Sequence, residues 1–165
     1  MLKPLLYLST FLLGALGVGS AQVTVRIERS DLQSPRALPE QTRAAVIHDY
    51  LKSWQTLRSA LEQNRSELLD ASFIGSAREK LTETIGQQSA LGIRTEYQDR
   101  EHDIQIVFYS PDGLSIELRD KVEYDVEVLD RDRVKMTQHV VTHYVIVLTP
   151  AEVQWRVRVF QAAGE

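Results

Sequence analysis

Between Leu114 and Leu148 the apolar positions alternate over two long runs. In the first, Leu114, Ile116, Leu118, Val122, Tyr124, Val126 and Val128 hold the even positions, with Ser115, Glu117, Arg119, Lys121, Glu123, Asp125 and Glu127 between them. A period of two with one charged file marks a strand that has one face on a core and one in water. After the polar turn Asp130-Arg131-Asp132-Arg133, the residues Val134, Met136, Val140, Tyr144, Ile146 and Leu148 resume the same parity. An antiparallel return strand over the same core has that pattern.

Upstream the spacing turns helical. Val46, Ile47, Tyr50, Leu51, Trp54, Leu57 and Leu61 recur at intervals of three and four behind Pro39-Glu40, which suit a first helical turn. The stripe predicts a helix of about six turns covering a sheet. Asn64-Arg65-Ser66-Glu67 reads as a cap for a short helix ended by Gly75. Ser76-Ala77-Arg78-Glu79 repeats the signal, and Ala77, Leu81, Ile85 and Leu91 run on to a stop at Gly92.

From Ile93 onward the pattern is that of strands. Ile93, Thr95 and Tyr97 alternate, the charged patch Asp99-Arg100-Glu101-His102-Asp103 interrupts as a bulge, bend or turn, and Ile104, Ile106 and Phe108 alternate again. Ser110-Pro111-Asp112-Gly113 and Thr149-Pro150-Ala151-Glu152 read as hairpin turns. The last strand, Val153 to Ala162, is expected to turn Val153, Trp155, Val157 and Val159 inward. The predicted class is α+β, with N-terminal helices packed on a strongly curved antiparallel meander.

The start of the chain adds a compartment. Residues 1–21 carry Lys3 as their one charge, an apolar run from Leu5 to Val18 and the small residues Gly19-Ser20-Ala21, which together read as a secretory signal peptide cleaved before Gln22. The run is shorter than the ~20 apolar residues of a spanning helix and contains Gly14 and Gly17. The expected protein is therefore extracytoplasmic, periplasmic or secreted, with no membrane attachment after cleavage. Residues 22–37 form an extended arm and linker: Val23, Val25 and Ile27 alternate as a short edge strand or arm would, and a polar, proline-bearing stretch follows. One domain is expected over residues 38–165.

Composition narrows the function classes. With no cysteine among 165 residues there is neither a disulfide framework nor a lipid-modified cysteine, so stability must come from packing. A net charge of -4 without a Lys/Arg run argues against nucleic acid. His139 and His143 would share a side of a helix, but on a strand they stand roughly 13 Å apart, too far for one metal, so no metal or other cofactor is expected. There is no Gly-x-Ser-x-Gly elbow, phosphate-binding glycine loop or cysteine nucleophile.

Helices first, then a strongly bent antiparallel sheet ending in Trp155-Arg156-Val157-Arg158-Val159-Phe160, resembles the NTF2-like superfamily, also called the cystatin-like α+β cone, over most of residues 38–162. Gly92-Ile93-Arg94-Thr95-Glu96-Tyr97 and Val153-Gln154-Trp155-Arg156-Val157 look more like the intermembrane-space domain of plastid division proteins and related bacterial modules than like the isomerase members. The resemblance implies a non-catalytic domain that binds a partner or ligand in or beside its cone. In resembling enzymes an aspartate in the cone transfers protons with histidine or tyrosine partners.

Two candidate sites follow. Asp120 interrupts an apolar file, and a carboxylate on a core face costs several kcal/mol unless it is paired or wet. With His143, Tyr144 or Tyr50 it would form a proton-transfer group; the favoured expectation is that the strand bends and turns Asp120 outward, toward a cation such as Arg119 or Lys121. Tyr50, Trp54, Asp120, Tyr144 and Trp155 make the candidate pocket, suited to an apolar small ligand. On the other face of the return strand Val141, Val145 and Val147 are apolar where water is expected. They are the candidate surface for a protein partner or a homodimer.

Overall fold

The computed structural model describes residues 22–28, 32 and 34–163. The expected signal peptide and part of the linker lie outside them. The chain runs β1 (Thr24–Ile27), α1 (Glu40–Gln63), a 3-10 turn (Ser66–Ala71), α2 (Gly75–Ala90), β2 (Ile93–Tyr109), β3 (Ile116–Asp130), β4 (Arg133–Ala151) and β5 (Gln154–Ala162). The strands form one open sheet in the order β1-β2-β3-β4-β5, with the helices packed against it. From β2 to β5 it is the expected antiparallel meander. β1 adds a parallel edge, Thr24 opposite Glu101 through Ile27 opposite Ile104.

The α1 stripe does what its spacing predicts. Val46, Tyr50, Trp54, Leu57 and Leu61 are buried in the core with Ile104, Ile106, Leu118, Val122 and Ile146 from the sheet. The end of the helix differs from the sequence expectation. Asn64 takes the left-handed conformation (φ 53°) and closes α1 instead of capping a new helix. Its amide nitrogen donates to the Ile93 carbonyl at 2.8 Å, and its Oδ1 accepts from Gln88 Nε2 at 2.5 Å, which fixes α1 to the start of β2 and to α2. Gly75 opens α2 instead of ending the short helix; its φ of 54° suits the sharp entry.

Four bulges reset which side chains face the core. On β2 an extra residue, Arg100, falls between the pairs Asp99–Tyr124 and Glu101–Glu123, and another, Val107, between Ile106–Leu118 and Phe108–Glu117. Inward parity therefore passes from Asp99 to His102, Ile104 and Ile106, then to Tyr109, leaving Phe108 outside. On β5 the pairs Val147–Val159 and Leu148–Val157 leave Arg158 as the extra residue. Val159, expected inward, thus lies on the outer face, and Phe160 takes the inward place opposite Ile146. Near the end of β3 Leu129 is buried in place of the expected Val128, across a fourth bulge at Lys135.

Two further expectations fail at the sheet ends. Val153 is 98% exposed, because it sits in the turn before β5. Val134 and Met136 are exposed because β5 pairs only with Tyr144–Ala151, so among the described residues nothing pairs with the far half of β4 on its second edge.

Candidate functional site

The Arg100 bulge brings two polar residues onto the inner face of β2, since Asp99 precedes the parity change and His102 follows it. Bulges commonly re-aim side chains in this way. On the neighbouring strand Asp120 sits opposite Ile104, one inward position along from His102, and Tyr50 reaches the same point from α1. His102 and Asp120 are each 1% exposed, and Tyr50 is fully buried.

These groups form a closed network. His102 Nδ1 lies 2.7 Å from Asp120 Oδ2, and the Tyr50 hydroxyl donates to the same oxygen at 2.7 Å. The backbone N–H of Asp103 donates to Oδ1 at 3.0 Å. Burial first, and the nearby Asp120 charge second, push the Tyr50 phenol well above its ordinary range, so it keeps its proton and acts as donor. A carboxylate only accepts, so its third partner must also donate. The network therefore places a proton on Nδ1, and in the neutral ring Nε2 is then an acceptor.

His102 is also a wall of a cavity of about 150 Å³. Its other walls are Val23 and Val25 from the β1 segment, Leu51, Trp54, Gln55 and Arg58 from α1, and Asp99. The Trp54 ring meets His102 edge-on at 5.2 Å. Asp99 is 5% exposed; its Oδ2 accepts from Arg58 Nη2 at 3.0 Å, while its Oδ1 is buried with no hydrogen-bond partner among the described residues. Chemically, the cavity combines apolar walls with two acceptors, Asp99 and the neutral His102 ring, and with the N–H groups of Gln55 and Arg58.

A second, larger hollow of about 510 Å³ lies between α2 and the sheet, with Tyr97, Tyr144 and Phe160 among its walls. Trp54 stands between the two hollows, since its ring is 5.5 Å from Tyr144 and 5.4 Å from Phe160 as well as in contact with His102. The interior is thus divided by an aromatic plug.

The candidate residues disperse accordingly. Trp54 lines the His102 cavity, and Tyr50 and Asp120 stand behind His102 without forming its wall. Tyr144 belongs to the second hollow, stacked on Phe160 at 4.6 Å. Trp155 lines neither; it is half-buried at the start of β5, with its backbone N–H donating to Asp49 Oδ2 at 2.8 Å. Asp120 is not turned outward and meets neither Arg119 nor Lys121, because β3 keeps its alternation through that point and buried donors satisfy the carboxylate. His143 is exposed, and Lys121, its cross-strand neighbour, is exposed too. Val141 is 51% exposed, and Val145 and Val147 are half-buried on the outer face.

The architecture has solved relatives. The intermembrane-space region of the chloroplast protein ARC6 matches with a TM-score of 0.61 at 13% identity, over 77% of this chain and 98% of its own. A candidate scytalone dehydratase from Novosphingobium aromaticivorans matches at 0.54 and 13%, over 75% and 87%. A candidate dehydratase of the NTF2-like family from Streptomyces avermitilis matches at 0.50 and 9%, over 72% and 96%. The fold is the NTF2-like cone. At these identities the likeness concerns the NTF2-like architecture alone. No protein-family model matches the sequence, and neither does any curated protein. Among the described residues no helix of this NTF2-like cone is long and apolar enough to cross a membrane.

Proposed function

We propose that the chain is an extracytoplasmic NTF2-like module that binds a small molecule in the cavity beside His102. The observation that carries this is the His102 imidazole, held through Nδ1 by the buried Asp120 and forming the cavity wall. Burying a histidine–carboxylate pair is costly, and replacing it with apolar residues of similar volume is often neutral or stabilising. Its presence beside an opening is better accounted for by a ligand. The volume of about 150 Å³ corresponds to roughly five waters, below the ~300 Å³ at which drug-sized pockets begin, so the ligand is small. Should that ligand carry an acidic proton, Nε2 would serve as the base and Asp120 would hold the tautomer.

Phenol, with seven heavy atoms, is a suitable probe. It is expected to shift the Trp54 indole resonance of the wild-type protein on titration. It should do so far less in Val25→Trp, which places a large ring at the cavity from a partly exposed strand position that the core does not depend on. An unmoved Trp54 resonance, or equal binding by Val25→Trp, would contradict the proposal.

A second reading concerns the outer face. Val147 pairs with Val159 there, beside Val145 and the half-exposed Val141. This apolar strip supports a protein partner or a second copy on the sheet. The two readings use opposite faces and are compatible.

A further inference from the structure

We infer that the cavity selects small uncharged molecules that carry a hydrogen-bond donor, a hydroxyl compound with an apolar body. The inference rests on the proposed small-molecule reading and adds the ligand's chemistry. With its Nδ1 proton held by Asp120, the neutral His102 ring has Nε2 as an acceptor. Asp99 lines the same cavity, and its Oδ1 is a buried acceptor left without a partner. A buried polar atom with no partner costs about 1–3 kcal/mol, and a ligand hydroxyl would supply the missing bond.

The remaining walls decide what else the molecule must be. Val23, Val25, Leu51 and the Trp54 ring present carbon, with Gln55 as the one other polar wall beside Arg58, which favours an apolar body. An anion meets the buried Asp99 carboxylate, whose charge the Arg58 guanidinium already balances at 3.0 Å. A second anion would be uncompensated. An ether or ketone of the same size would leave both acceptors unsatisfied and desolvated.

The test compares phenol, anisole and benzoate on the exported protein by calorimetry, with the Trp54 indole resonance as a reporter of location. Anisole is the more apolar, so burial alone would favour it. We expect phenol to bind about tenfold or more tightly than anisole, since a hydrogen bond to a charged group is at stake, and benzoate to bind least. In Asp99→Asn the amide oxygen can keep the Arg58 bond while the amide N–H faces the cavity. The phenol-over-anisole ratio should then fall toward one. Equal binding of phenol and anisole by the wild type would overturn the donor preference while leaving the cavity as a site. Failure of all three to bind or to move Trp54 would remove the small-molecule reading itself. If Asp99→Asn does not fold, the wild-type ratio alone decides.

Discussion

Asp120 and His102 answer unequally to substitution, because the two side chains leave different things behind. His102→Ala removes one of three donors from a carboxylate that no water reaches; losing a hydrogen bond to a charged oxygen costs about 1.5–3 kcal/mol, and the emptied ring volume adds to it. Asp120→Asn removes the charge itself, keeps an acceptor for the Asp103 N–H and should cost less. Urea denaturation of the two variants is expected to show that order; a milder effect of His102→Ala would mean that the carboxylate does not depend on the imidazole. Tyr50 adds a dependence on pH. Its folded phenol titrates well above the ordinary value of about 10, through burial first and the Asp120 charge second. The unfolded chain therefore loses this proton from about pH 10 while the folded chain keeps it, so the stability Tyr50 contributes is full below pH 10 and is lost as pH rises toward the folded value. Tyr50→Phe should cost about 1.5–3 kcal/mol at neutral pH through the lost bond to a charged oxygen, and the gap to wild type should narrow above pH 10. Tyr97, pushed up to about 12 by burial and by Tyr124, is present in both proteins and cancels in the difference.

At the scale of elements, the bulges determine what the alternation means. β3 and the helical stripe of α1 were legible because nothing interrupts their periods until Val128: the inward residues run Ile116, Leu118, Asp120, Val122, Tyr124 and Val126 as the parity demands. β2 and β5 were legible only in pieces, since one inserted residue exchanges the two faces of everything beyond it. Val159 and Phe160 traded places for this reason, and so did Phe108 and Tyr109. His102 shares the parity of Ile104 and Ile106, which was the available signal; it was masked by its place in the charged patch Asp99-Arg100-Glu101-His102-Asp103. Asp120 was visible as the break in an apolar file, and Tyr50 stood among its candidate partners; His102 did not, because it lies beyond a bulge. Deleting Arg100 should abolish the register change. Either Tyr97 and Asp99 or His102, Ile104 and Ile106 would then have to turn outward, and we expect a large fall in the urea midpoint. Arg100→Ala, which keeps the extra residue, should leave the midpoint near wild type. Equal midpoints for the two variants would mean that the bulge does not set the site.

For the molecule as a whole, the sheet has two faces with separate expected uses. Its outer face carries Val141, Val145, Val147 and Val159 among charged neighbours, and sedimentation of wild type and Val145→Glu tests whether this strip binds. Association of the wild type that is lost in Val145→Glu is the expected result; two monomeric proteins with unchanged partner capture would leave the face without a role. Its inner face is closed by α1 and divided by Trp54, so the polar chemistry gathers in one small cavity whose outer wall is the β1 segment. His102, oriented by Asp120, forms part of that cavity's wall and in its neutral form turns an acceptor to it. Imidazole nitrogen NMR tests it most directly, resolving His102 from His48, His139 and His143. The expected spectrum is that of a neutral His102 ring protonated at Nδ1, with an Nε2 resonance that moves when phenol is added while the other three histidines stay fixed. A ring protonated at Nε2 or at both nitrogens, or an Nε2 resonance indifferent to phenol at saturating concentration, would contradict it.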